Sequence, residues 1–435
     1  MRKWVKGLWV LVLGFLLVSP VWANDDPAAL QAQIEALKKQ MAEMQAEMQA
    51  KIEALQKKLE QVQSKGVAPQ VVTNQGNPVF SGPNTEWMLY GKIKVDFNYD
   101  TAQFVRYNDF VGAVANPASH TDYKNDSTNF NPRDTRFGFW AAHKEGDWLV
   151  KGRFEIDFYG TNSGNNLIPR MRLAYVNLTN VSTKTSVLIG QDWIPVARLN
   201  PSTLDFGILT AAGNLWWRVP QITVRQKVGN NLEFLVSAMK HRRLDPARED
   251  RMPWLLARVA YTGSLSGADY MFALGGGYRH ASYGENDSYD IDRYLVVGEW
   301  KISLLDKRLT FKGEAWWGQG IGECFLRYEL DGYEDNDVFH VAEATGMWAD
   351  LTYKFAPRWS ATIGFGIDNP VDGDMPAKAS MSDRQFTQNT QYFANIWYNI
   401  TKPLKVGLEF IHIETERFDT TQTGNRYSLS MQYLF

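Results

Sequence analysis

Basic side chains recur at every second position in several stretches of this chain. Lys92 and Lys94, Lys151 and Arg153, and Arg170 and Arg172 are the clearest pairs. A spacing of two puts both members on one face of a strand. Arg136, Arg218, Arg225 and Arg258 fall at the same parity in neighbouring stretches, and Arg279, Arg293 and Arg426 follow. Guanidinium groups present forked donors matched to carboxylate and phosphate oxygens, so such a face can gather anions. Asp96, Glu155, Asp157, Glu299, Glu314 and Glu409 share that face. They offer a second reading, in which the cations pair with these acids and merely satisfy a wall. For any single arginine the two readings weigh the same. Arg136, Lys151, Arg153, Arg170 and Arg172 lie on three consecutive stretches, and for that group the anion reading leads.

Other chemistry finds little support in the residue pattern. His120, His143, His241, His280, His340 and His412 are scattered without metal-ligand spacing. No Gly-x-Ser-x-Gly elbow occurs, and no glycine-rich phosphate loop sits between a strand and a helix. Cys324 is the single cysteine and reads as an incidental thiol in a loop. No enzyme, metal or cofactor is implied, and nothing points to nucleic acid.

The elements that must position the basic face are strands. The last ten residues read RYSLSMQYLF, with Tyr427, Leu429, Met431, Tyr433 and Phe435 on one side and Arg426, Ser428, Ser430 and Gln432 on the other. An apolar strand at a free chain end is an aggregation hazard unless both edges are paired. Pairing it with the first strand, near Trp87, closes a barrel with its apolar side outward, as lipid demands. In that first strand Leu89, Ile93, Val95, Phe97 and Tyr99 oppose Lys92, Lys94, Asp96 and Asn98. About sixteen such stretches follow one another to the C-terminus, an even number as single-chain barrels require. Odd-numbered links are long, at 101–134, 161–169, 194–213, 241–253, 280–292, 319–345, 369–388 and 414–425, and even-numbered ones are tight turns. The expected fold class is thus an all-β transmembrane barrel over residues 87–435. Trp148, Trp254, Trp300, Trp359, Tyr433 and Phe435 sit at strand ends, where interfacial girdles form.

Two of the long links differ in composition. Residues 194–213, IPVARLNPSTLDFGILTAAG, are unusually apolar and carry Arg198 and Asp205. Such a loop is expected to fold inward and form a constriction. Residues 101–134 are longer and polar, and are expected to stay outside as a cover.

The N-terminus has a basic end at Arg2, Lys3 and Lys6, an apolar run and a small-residue cleavage site, Val21-Trp22-Ala23, cut after Ala23. This is a secretory signal over residues 1–23, whose removal takes the formal charge from −2 to −5. Residues 24–65 form a helical segment with Leu30, Ile34, Leu37, Met41, Met44 and Met48 at alternating four- and three-residue steps. That spacing is a coiled-coil seam, and one further step of four at Ile52 is a stutter. Glycines and prolines mark residues 66–86 as a linker. Entering beside the tight turns, the helix belongs in the periplasm.

The order of segments, with Gly190-Gln191-Asp192-Trp193 leading into Pro201-Ser202-Thr203-Leu204-Asp205-Phe206-Gly207 and then Arg218-Val219-Pro220-Gln221-Ile222, resembles the DcaP-like porins. The terminal Phe435 is similar to the C-terminal signature of bacterial outer-membrane barrels. The resemblance implies a homotrimer in outer-membrane lipid, a constriction loop at 194–213, and passage of small organic anions such as dicarboxylates. Phosphate-selective and general non-selective porins are the alternatives within this class. A structural tether, with the arm reaching peptidoglycan, is the alternative from another class.

Overall fold

The computed structural model describes residues 27–64 and 72–435, apart from 75–76, 83, 106–108, 118–122, 161–166, 243–251, 284–288, 327–330, 336–337, 375–384 and 419. The expected leader over residues 1–23 lies outside the described residues. The chain divides into two units, Met1–Gln70 and Val71–Phe435.

In the first unit, helix α1 spans Pro27–Ser64. Ile34, Leu37, Met41, Met44 and Met48 are each 46–60% exposed, an uncovered apolar stripe. Lys51 Nζ lies 2.7 Å from Glu47, one turn away, a surface pair of the kind that stabilises a helix by a few tenths of a kcal/mol. Among the described residues no helix is long and apolar enough to cross a membrane, which says nothing of strands.

The second unit is a closed antiparallel barrel of sixteen strands. In chain order they are β1 Thr85–Asp100, β2 Arg136–Glu145, β3 Trp148–Asp157, β4 Arg170–Asn180, β5 Thr185–Trp193, β6 Arg218–Val228, β7 Leu232–Met239 and β8 Trp254–Leu265. They continue with β9 Ala268–Tyr283, β10 Tyr289–Leu304, β11 Leu309–Gln319, β12 Glu343–Ala356, β13 Trp359–Pro370, β14 Gln388–Asn399, β15 Leu404–Arg417 and β16 Thr420–Leu434. Each strand pairs with its chain neighbours, and β16 pairs with β1 from Arg426↔Asp100 to Leu434↔Lys92. Phe435 extends the seam by exchanging backbone hydrogen bonds with Gly91. Closure removes both free edges, as an apolar terminal strand requires.

The alternation sorts side chains as the pattern predicts. Tyr427, Leu429, Met431 and Tyr433 are 44–52% exposed on the outer face, while Arg426 and Ser430 are fully buried within. One break in the alternation matters. A β-bulge between β3 and β4 inserts Arg172 as an extra residue, so Arg172 and Leu173 both turn inward while Met171 faces out.

Several expectations need correction. Short strands Val72–Asn74 and Asn77–Ser81 lie where a linker was expected, and the second pairs with β1 at Glu86–Met88. The links expected at 280–292 and 414–425 are short, because β9, β10, β15 and β16 extend into them. Trp254 is fully buried and packs edge-on against Phe325, so it is no girdle residue. Most consequentially, the first long link does not stay outside. Phe104, Phe110, Val111, Ala113 and Val114 are each 4% exposed or less inside the barrel. The polar average of that link hid a short apolar run, Phe110-Val111-Gly112-Ala113-Val114-Ala115, which gains by leaving water. A third loop also enters: a one-turn helix α2, Gly322–Phe325, buries Cys324 and Phe325 against Ile194, Leu215, Trp254 and Leu295.

Candidate functional site

The 194–217 loop crosses the lumen, and the strands it lies against supply one acceptor after another to its backbone. Glu299 on β10 accepts from the N–H groups of Arg198 and Leu199, at 2.6 and 2.7 Å. Asp350 on β12 accepts from Ser202 at 2.7 Å. Glu409 on β15 accepts from Leu204 and Asp205 at 2.6 and 2.7 Å. Glu314 on β11 takes Leu215, and Asp368 on β13 takes Gly213. A buried N–H left unpaired costs about 1–3 kcal/mol, so these carboxylates hold the loop in place. Gly213 sits at φ +87, and a Cβ there would meet the Met347 carbonyl oxygen at 2.0 Å, so only glycine fits. Ile208, Leu209 and Ala211 are also at positive φ, a conformation that persists only where the surroundings impose it.

The acids expected to face water beside the basic residues therefore divide into two groups. Glu299, Glu314 and Glu409 are capped by the loop. Glu155 and Asp157, with Asp96 and Asp134, remain with the cations of β1–β4.

That basic wall is partly neutralised. Arg170 pairs with Asp157 at 2.7 Å. Arg172, placed inward by the bulge, bridges Glu155 and Asp157 at 2.7 Å each. Arg153 donates to the Tyr90 hydroxyl at 2.7 Å and lies 3.2 Å from Glu155. Lys92 and Arg136 share Asp134, at 2.6 and 2.8 Å, and Lys94 reaches Asp96 at 2.8 Å. Lys151 stacks over Trp140, 4.3 Å from the ring centroid. Counting Arg218, seven cations from Lys92, Lys94, Arg136, Arg153, Arg170, Arg172 and Arg218 face four carboxylates among the described residues. Pairing is real, and a positive surplus remains.

Between this wall and the loop lies a cavity of about 310 Å³, lined by Lys92, Arg136, Arg172, Arg218 and Lys405 with Ser202–Asp205 of the loop. Of the residues singled out in the sequence, Lys92, Arg136, Arg172, Arg218 and Asp205 thus come together. Asp205 is engaged by Arg426 Nη1 at 2.7 Å and by the Val111 N–H at 3.2 Å. Arg225 stands apart, 3.9 Å from Asp192. Arg198 and Arg258 are not at this cavity. They line a second one of about 340 Å³ with Lys227, Glu233 and Met271, and Arg258 is held by Glu299 at 2.7 Å. Lys405 was missed, because a lone lysine after a proline turn carries no sequence signal.

The fold also assembles a cluster that spacing concealed. His241 Nε2 lies 3.8 Å from both Glu323 and Asp331, beside buried Cys324. Burial pushes the imidazole down, but Cys324, Glu323 and Asp331 outweigh it and raise it to about 9. Trp254 Nε1 lies 3.3 Å from His241 Nδ1, and Arg293 approaches Asp331 at 3.1 Å. The raised imidazole is cationic at neutral pH, so with Glu323 and Asp331 it forms an ion-pair network joining two loops.

A closed sixteen-strand barrel narrowed by inward loops is the architecture of outer-membrane channels. The sequence matches no protein-family model and no curated protein. Among solved structures, the chain is similar to the outer membrane channel DcaP of Acinetobacter baumannii, with 22% identity, TM-score 0.69, and coverage of 82% of this chain and 99% of that one. It is similar also to an anion-selective porin from Comamonas acidovorans, at 9% identity and TM-score 0.56 over 81% of this chain and 100% of that one. The trimer form of OmpT from Vibrio cholerae matches at 11% identity and TM-score 0.51, over 81% and 100%. At these identities the likeness is one of fold, and the chain has the DcaP barrel fold.

Proposed function

We propose that this chain is an outer-membrane porin, a passive channel for small anionic solutes such as dicarboxylates. The observation that carries the reading is the segregation of charge in the lumen. The loop occupies the acidic wall through its own N–H groups, so the surface left to a solute is the basic one. Charge of one sign on low-dielectric walls raises the local concentration of the opposite ion. No energy source is required, and the reading is of a channel rather than an enzyme. In planar bilayers under a salt gradient, the wild-type reversal potential is expected on the anion side. Succinate and phosphate, added separately to one face, then distinguish dicarboxylate from phosphate preference by which blocks current at lower concentration. Cation preference in the wild type removes the reading.

The arm fits the same proposal. A half-exposed stripe along α1 calls for partner helices, and three copies of this chain are the economical source, with the helix in the periplasm and the barrel in lipid. Excising residues 27–64 is expected to lower trimer stability, seen as dissociation at lower temperature on semi-native gels, while single-channel conductance changes little. Unchanged trimer stability with loss of envelope attachment in cells favours the tether instead.

A further inference from the structure

The cations lining the 310 Å³ cavity are of two kinds. Lys92, Lys94, Arg136 and Arg172 each have a carboxylate oxygen within 2.6–2.8 Å. Arg218 and Lys405 have no ion pair among the described residues, and both rest on tryptophan. The Arg218 guanidinium lies 4.8 Å from the Trp193 ring centroid and 5.4 Å from that of Trp216. Its buried Nη1 has no hydrogen-bond partner. Lys405 Nζ lies 3.8 Å from the Trp397 centroid. The Trp397 ring in turn packs over Gly407, where a Cβ would come within 2.6 Å of it. All three indoles line the cavity together with the two cations.

An indole face attracts a cation through its quadrupole without carrying net charge. A carboxylate cancels the charge it holds, whereas an indole positions it and leaves it whole. We infer that Arg218 and Lys405 are the side chains that contact a permeating anion and set selectivity, and that the arginine–carboxylate ladder positions the wall. This rests on the anion-channel reading. Strands β6 and β15 are remote in sequence, so the pair exists only because the barrel closes.

The test measures succinate block and reversal potential for wild type, Arg218→Gln, Lys405→Gln, their double variant and the pair removal Arg170→Gln/Asp157→Asn, with Arg218→Lys and Lys405→Arg as charge-preserving controls. Each removal at the cavity is expected to weaken block about two- to fourfold, the effect of one unit charge at roughly 5 Å in a water-like medium. The double variant is expected near tenfold. Arg170→Gln/Asp157→Asn removes a paired cation together with its carboxylate, leaves the local net charge unchanged, and is expected to change block less than twofold. The charge-preserving variants are expected to retain wild-type reversal potentials, and they decide the matter if a glutamine variant fails to fold. An anion-selective wild type with an unchanged Arg218→Gln/Lys405→Gln variant, or a pair removal at Arg170 and Asp157 as large in effect as Arg218→Gln, overturns the assignment alone. A cation-selective wild type overturns the channel reading beneath it.

Discussion

Replacing Arg426 by methionine is expected to destabilise the barrel by about 3–5 kcal/mol, the cost of stranding buried charge. Arg426 is fully buried. Its Nε and Nη2 donate to the two carboxylate oxygens of Asp100, both at 2.7 Å, and its Nη1 donates to Asp205. One guanidinium thus ties the closing seam, where Arg426 pairs with Asp100 across β16 and β1, to the loop that crosses the lumen. Methionine keeps the volume and leaves two carboxylates facing each other without the charge between them. The double variant Arg426→Met/Asp100→Asn is expected to regain part of the loss, since one of the stranded charges goes with it. Thermal unfolding of the detergent-solubilised barrel, followed by circular dichroism, reads both effects. A loss below about 1 kcal/mol for the single variant contradicts the buried-charge account.

Glu409→Ala is expected to raise single-channel conductance and open-channel noise in a barrel that still folds. The carboxylate holds three donors, the N–H groups of Leu204 and Asp205 and the Asn395 amide, at 2.6, 2.7 and 2.8 Å. Stripping them together costs about 1–3 kcal/mol per buried group left unpaired, enough to free the segment that borders the cavity. Glu409→Gln, which keeps the shape and one acceptor oxygen, is expected to fall between. Unchanged conductance and noise in the alanine variant shows that Glu409 does not seat the loop. The two variants separate the loop's attachments, since Arg426 acts through the side chain of Asp205 and Glu409 through the backbone beside it.

These attachments explain how one lumen can hold many carboxylates and still present a basic surface. Had the loop stayed outside, Glu299, Glu314, Asp350, Asp368 and Glu409 would face the solute across from the arginines, and the two walls would cancel. Loop insertion is therefore an electrostatic event as well as a steric one.

The alternation of single residues was enough to place sixteen strands, the orientation of Tyr427 to Tyr433, and the pairing of the last strand with the first. Each of these depends on a period of two read along a few neighbours, so it survives in a linear text. The inward turn of the loop expected at 194–213 was also legible, because an apolar loop in water is costly and its composition is local. What escaped was how side chains and loops far apart in the chain meet inside the barrel. The burial of Phe110 to Ala115, the meeting of His241 with Cys324 and Asp331, and the convergence of Lys405 and Arg218 on one cavity each join distant segments, while the bulge that turns Leu173 inward beside Arg172 breaks the alternation locally. A charge's worth is set by what stands within a few ångströms of it, and in a barrel those neighbours lie on other strands and on loops from the opposite wall. Sequence decided which side chains point inward. Only the closed structure decided which of them still carry an uncancelled charge there.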